Sequence, residues 1–268
     1  VRITHTSGKR KLWASAFLLL FALTPLAFPY RGTAENLKIT VYTFEIPPYT
    51  LNENGRLTGA AVEIIESVFK RAQIPCSVKL LPFSRAYQTT QTTPNSFVFP
   101  ITRVSDREND FQWAGAITPS PMSAYVLSSR TDIRILTLDD MRKWKIGTIQ
   151  KDVRENYLLK HNFDISSMQR LSGSQTYERN IRKLAMKRID ILPFPDHVFL
   201  YLSAKDGYKP TTFRKAYTFD ELSSLGYSLA AHPGIDKDII SKIRNELIRF
   251  KGTQEYNAIL KKWNIPNH

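Results

Sequence analysis

Residues 95–115 read NSFVFPITRVSDRENDFQWAG. The segment opens as a strand, with Phe97, Phe99 and Ile101 alternating with Ser96, Val98 and Pro100 at a period of two. It then turns polar through Thr102, Arg103, Ser105, Asp106 and Arg107. A buried strand that ends in a hydroxyl and two arginines predicts an anion there, because a desolvated guanidinium is costly unless paired. In open α/β sheets, ligands bind at the carboxyl ends of the strands. The planar guanidinium suits a carboxylate, to which it donates two parallel hydrogen bonds. The competing reading pairs Arg103 and Arg107 with Asp106, Glu108 or Asp110 on a solvated surface, where such pairs contribute little.

Upstream, Leu37, Ile39 and Val41 alternate with Lys38, Thr40 and Tyr42 and predict a first strand. The loop FEIPPYT follows, in which Pro47-Pro48 excludes regular structure. Asn54-Gly55 marks a turn. Thr58 then caps a helix whose apolar positions are Ala61, Ile65, Val68, Phe69 and Ala72. A strand over 77–81 and a polar helix over 84–92 complete the order β-α-β-α-β, which implies a parallel sheet with covering helices. Downstream, the pattern predicts a crossover strand at 123–128, a strand at 145–149 and helices at 153–160 and 178–187. An apolar strand at 189–192, a return strand at 227–231 and two amphipathic helices at 236–250 and 253–263 follow.

The first 34 residues read as a secretory signal peptide: Lys9, Arg10 and Lys11, then an apolar run over 12–28, then Gly32-Thr33-Ala34 for cleavage. The run is short for a membrane span and is broken by Pro25. An uncleaved anchor is the other reading, and the leading valine reads as a non-standard start. Removing this segment takes away Arg2, Lys9, Arg10, Lys11 and Arg31 and no acid, so the formal charge falls from +14 to +9. That excess suits an anionic ligand or surface without naming one. The sole cysteine, Cys76, excludes an intrachain disulfide and reads as a small hydrophobe. No G-x-S-x-G, H-E-x-x-H, G-x-G-x-x-G or phosphate-binding G-x-x-x-x-G-K motif is present. His161, His197 and His232 are scattered and read as surface or cap residues rather than metal ligands. Nothing in the sequence points to a cofactor or to nucleic acid.

Four further segments carry a resemblance: NGRLTGAAVEIIESVFKRA (54–72), WKIGTIQKDVRENYLL (144–159), AMKRIDIL (185–192) and FKGTQEYNAILKKWNI (250–265). Together with the opening stretch they resemble the bacterial extracellular solute-binding proteins of family 3, the polar amino-acid ABC transporter type, in a divergent branch. The resemblance covers nearly all of the chain after the signal. It implies an α/β fold of the periplasmic binding protein-like II kind, two α/β lobes with a ligand cleft between them, joined by two crossover strands. Lobe 1 would take 35–126 and 224–268, and lobe 2 would take 127–223.

On that resemblance Thr102 occupies the hydroxyl position and Arg107 that of the arginine that clamps a ligand carboxylate. Arg103 marks the divergent branch, and Arg85 in Phe83-Ser84-Arg85 takes a cleft position. In the first loop Glu45 could receive an ammonium group and Tyr49 could wall the cleft; the bland reading has Glu45 solvated and Tyr49 packed beneath the loop. Lobe 2 departs from the pattern. Lys151-Asp152 replaces a Gly-Thr-like pair, and Asp152 reads as a helix N-cap. Asp190 reads as structural. Asp196 is the candidate ammonium acceptor, with Pro193 and Pro195 shifting its spacing. The expected function is capture of a small polar or carboxylate-bearing solute by a monomer in the periplasm, for an ABC permease or a membrane sensor. Other readings are a periplasmic enzyme resembling cyclohexadienyl dehydratase, or an orphan sensor-type binding module.

Overall fold

The computed structural model describes residues 1–4, 38–173 and 175–266; the signal-peptide reading lies outside the described residues but for the first four. In chain order the elements are β1 Ile39–Thr43, β2 Leu51–Glu53, β3 Arg56–Thr58, α1 Ala60–Arg71, β4 Cys76–Leu80, α2 Phe83–Thr92, β5 Ser96–Ile101 and β6 Gln112–Thr118. They continue with β7 Met122–Leu127, β8 Ile146–Ile149, α3 Val153–Lys160, β9 Met168–Leu171, α4 Thr176–Ala185, β10 Leu192–Pro195 and α5 Asp196–Lys205. The last are β11 Phe213–Thr218, α6 Asp220–Leu225, β12 Tyr227–Ala231, α7 Lys237–Lys251 and α8 Gln254–Lys262. No helix among the described residues is long and apolar enough to cross a membrane.

Two main sheets organise the chain. The first runs β4-β1-β5-β12-β6, with β4, β1 and β5 parallel and β12 antiparallel to both β5 and β6. The parallel order places the carboxyl ends of β1, β4 and β5 along one edge, as the right-handed β-α-β connection requires. The second sheet runs β10-β7-β11, antiparallel throughout, and a parallel β8-β9 pair lies next to it through the Ile146–Ile191 bridge. β6 and β7 are joined by residues 119–121, and β11 returns to β12 through α6. The chain therefore crosses between the sheets twice.

The first sheet is buried between its helices. Every residue of β5 is buried, as are Ile64, Ile65, Val68 and Phe69 of α1 and Ile243, Leu247 and Phe250 of α7. A second core gathers Met122, Ala124, Val126, Met141, Leu158, Ile191 and Phe219 around β7. Burying each such side chain contributes about 1.5–3 kcal/mol. The helix ends are locally specified: Asp152, Asp236 and Thr253 each accept backbone N–H groups at the starts of α3, α7 and α8.

Three sequence expectations are corrected. The residue that begins α1 is Gly59, not Thr58, with no side-chain cap. Gly59 holds φ +121°, and a Cβ there would lie 2.5 Å from the Tyr49 carbonyl oxygen. The close approach of the 44–50 loop sets this choice of residue. The strand read over 189–192 lies instead at Leu192–Pro195, sharing only Leu192 with the expected range and including Pro193 and Pro195. Both prolines fit because β10 is at the edge of its sheet, where a missing N–H breaks no shared ladder. Finally, β6 follows a reading that left 112–118 unassigned. Gly115 and an extra residue, Ala114, make a bulge against β12 there, which interrupts the alternation that signals a strand.

Candidate functional site

The loops after β1, β4 and β5 share the carboxyl edge of the first sheet. Aromatic rings join them. Phe44 of the first loop meets Phe83 of the second edge-on, with ring centres 4.8 Å apart. Phe83 continues to Tyr87 at 5.9 Å, and Tyr87 to Phe111 at 4.9 Å. The Tyr87 hydroxyl donates a short hydrogen bond to Asp110. Burial, and then this bond, push the phenol well above its ordinary pKa.

Arg107 lies over this row. Its guanidinium carbon is 5.6 Å from the ring centres of both Phe83 and Tyr87, within the range of a cation–π contact. Among the described residues its one side-chain hydrogen bond goes from Nη1 to the Thr102 carbonyl, at 3.3 Å. Thr102 is itself buried. Most of the five guanidinium donors of Arg107 are thus uncommitted.

The other sequence candidates separate. Arg103 donates from Nε to Glu108 at 2.8 Å and from Nη2 to the same carboxylate, and sits 5.5 Å over Trp113. It lines a groove of about 650 Å³ along β6 and α7, with Arg244 and Lys251, apart from Arg107. The surface pairing weighed for the arginines therefore holds for Arg103. Arg85 and Glu45 are exposed. Tyr49 is fully buried, packed edge-on to Tyr227 at 4.8 Å. Its hydroxyl donates to the Pro119 carbonyl at 2.9 Å and lies 2.9 Å from His197 Nδ1. A phenol has one hydrogen, so with that hydrogen on Pro119 the ring nitrogen must donate. Tyr49 therefore ties the first loop to the crossing segment and to α5. His197 is buried, which corrects its reading as a surface or cap residue.

From the other sheet, Asp152 and Arg154 approach the same region. Arg154 is 5% exposed and was not singled out in the sequence, where a basic residue in a first helical turn gives no signal. It donates from its backbone N (2.9 Å), Nε (2.6 Å) and Nη2 (2.7 Å) to Asp152. Its guanidinium packs 4.9 Å from the Phe194 ring centre and 5.3 Å from that of Tyr177. Burial alone would raise the Asp152 pKa, but the Arg154 charge and hydrogen bonds overcome it, and Arg107 adds to the lowering. Arg107 acts in the same direction on the Tyr177 phenol, which burial raises. The two charged clusters thus sense each other across the gap between the sheets. Lys160 of α3 closes the rim with 2.7 Å to Asp106 and 3.0 Å to Ser105.

Asp196 opens α5 and is 3% exposed. Oδ1 accepts from the Tyr125 hydroxyl at 3.0 Å, and Oδ2 accepts a short bond from Lys215. Asp190 accepts from Arg130 and from the Lys145 N–H, the structural role read from the sequence. Among the described residues no group of three or more His, Cys, Asp or Glu is placed to hold a metal.

Comparison of the whole structure with solved structures gives many matches. One is a histidine kinase sensor domain with similarity to periplasmic binding proteins, at a TM-score of 0.72 and 17% identity, covering 84% of this chain and 95% of that one. The chain has a two-lobed periplasmic-binding-protein fold. An ancestral arginine-binding protein bound to arginine matches at 0.70 and 18%, covering 84% and 97%. An arginine 3rd transport system periplasmic binding protein from Legionella pneumophila matches at 0.67 and 18%, covering 85% and 99%. No protein-family profile and no curated protein matches the sequence.

Proposed function

We propose that this chain is a periplasmic solute-binding protein that encloses a small carboxylate-bearing solute between its lobes. Arg107 carries the reading. It stands at the shared carboxyl edge of three parallel strands, acts electrostatically on Asp152 and Tyr177 of the other lobe, and among the described residues keeps most of its guanidinium donors uncommitted beside an aromatic wall. A bidentate carboxylate satisfies those donors. Thr102 fixes the arginine through its carbonyl, and Arg85 adds positive field at the mouth.

For the lobe limits, which the sequence put at 126 and 224, we take the crossings as the links between the two sheets; since β7 is hydrogen-bonded to β10 and β11, the first is residues 119–121. The second falls between β11 and β12. Closure about these two crossings would exclude water from the cleft, with the Lys160–Asp106 contact latching the rim. The structural matches include transport proteins and a sensor domain, which supports delivery of the solute to an ABC permease or a membrane sensor.

A thermal-shift screen against carboxylates, amino acids, polyamines and sugars tests this reading. A true ligand at about 100 times its dissociation constant stabilises the fold by roughly 2.7 kcal/mol, a readable rise in melting temperature. A folded protein that no compound stabilises would count against it.

A further inference from the structure

The geometry points to a ligand that has a carboxylate but no ammonium group. This rests on the solute-binding reading and narrows it.

An α-amino acid presents a carboxylate and, one carbon away, an ammonium. The cleft supplies a partner for the first charge in Arg107. Among the described residues it supplies no buried partner for the second, because its buried acids are already matched. Asp196 gives Oδ1 to Tyr125 and Oδ2 to Lys215. Asp152 gives both oxygens to Arg154, and Oδ1 also receives the Arg154 backbone N–H. At the loop edge Asp110 is held by Tyr87, Asp106 by Lys160 and Glu108 by Arg103. Glu45 is the remaining acid of these loops, and it is exposed to water.

An ammonium brought to Asp196 would have to displace Lys215 or share its carboxylate. Sharing sets two cations side by side in a buried site, and displacement leaves a lysine seeking a new partner. Lys215 is on β11, half exposed at its side chain, while the Asp196 side chain is 5% exposed. The lysine reaches in from the rim to neutralise a buried acid. With Lys215 and Arg154 spending themselves on Asp196 and Asp152, Arg107 and the exposed Arg85 outweigh the exposed Glu45, so the charge left for a ligand to meet is positive. A ligand of opposite sign satisfies it, and a zwitterion does not. The Phe83–Tyr87 wall beside Arg107 then packs against the carbon skeleton next to the carboxylate.

Calorimetric titration of the purified protein with three matched pairs tests this: succinate against aspartate, glutarate against glutamate, and 3-phenylpropanoate against phenylalanine. In at least one pair the acid should bind about tenfold or more tightly than its amino counterpart. Lys215→Met, checked for native circular dichroism, should shrink or reverse that ratio by uncovering Asp196, whereas Glu45→Gln should leave it unchanged. Tighter binding of the amino acid in the pairs that bind overturns the inference, as does a ratio that collapses in Glu45→Gln. If none of the six binds while an amino acid, polyamine or sugar in the thermal screen does, the inference fails and the solute-binding reading stands; an ammonium-free carboxylate as the hit of that screen supports the inference. If the whole screen is blank, both fail. The wild-type ratio decides the matter even if Lys215→Met does not fold.

Discussion

Gly59 shows how one residue sets the cleft floor. Its backbone sits at φ +121°, ψ 162°, a region open essentially to glycine, and a Cβ would meet the Tyr49 and Pro48 carbonyl oxygens at 2.5 and 2.9 Å. Gly59→Ala is expected to cost about 1–3 kcal/mol in urea unfolding and to loosen the loop that carries Glu45 and Tyr49. Asp152 sets a pH dependence. Its carboxyl is held below the ordinary range by Arg154, against the opposing effect of burial. A depressed carboxyl contributes stability that is complete above the unfolded value near ~3.9 and is lost as pH falls through the lower folded value. Urea midpoints should therefore be level from neutral pH down to about 4 and then fall. Asp152→Asn should flatten that acid limb while keeping part of the helix cap. The role of Asp152 as a cap was legible in the sequence, since it follows from near neighbours; Asp190 read as structural from its strand motif, while its partners Arg130 and Lys145 lie 60 and 45 positions away. The capture of Asp196 by Lys215 was not, because nineteen positions separate them and no local pattern records which lysine turns inward.

At the scale of elements, α7 and α8 were readable because stripe and cap agree. Ile240, Ile243, Leu247 and Phe250 bury one face of α7, and Asp236 accepts from the N–H groups of Asp238 and Ile239. Asp236→Ala should lower stability by ~1 kcal/mol, and Phe250→Ala, at a fully buried position, by about 3–5 kcal/mol, both seen as shifts in denaturant midpoint without a change of slope. The strands that escaped the sequence reading are those where a local rule is broken for a tertiary reason. β10 holds two prolines because it is an edge, and β6 holds a positive-φ glycine because it bulges. β11 alternates only loosely, with one buried residue in FRKAYT, so periodicity gave it no signal. Helix α5 is buried on all sides at its start, polar Asp196 and His197 as well as Val198 and Phe199, which masks the helical period.

For the whole molecule, the cleft joins charges that no single lobe brings together. Arg107 comes from the first sheet, Asp152 and Arg154 from the second, and Lys160 reaches back to Asp106 across the rim. The rim pair is solvent-exposed, so Lys160→Ala should leave the melting temperature nearly unchanged while speeding ligand release, read by stopped-flow fluorescence. The parallel sheet of the β-α-β-α-β run and the convergence of three loops on one edge followed from the alternation of sequence patterns, whereas the strand order β4-β1-β5 did not. Which arginine stays free did not, because Arg103 and Arg107 are four positions apart and only packing separates Glu108 from the aromatic wall. The central claim is that Arg107 clamps the ligand carboxylate. Titrating the wild type and Arg107→Ala with the tightest compound from the thermal screen tests it most directly. Truncating a desolvated charge partner costs about 2–5 kcal/mol, so affinity should fall by roughly 30-fold or more in a variant that keeps its native fold. Unaltered affinity in a folded Arg107→Ala protein would contradict the account.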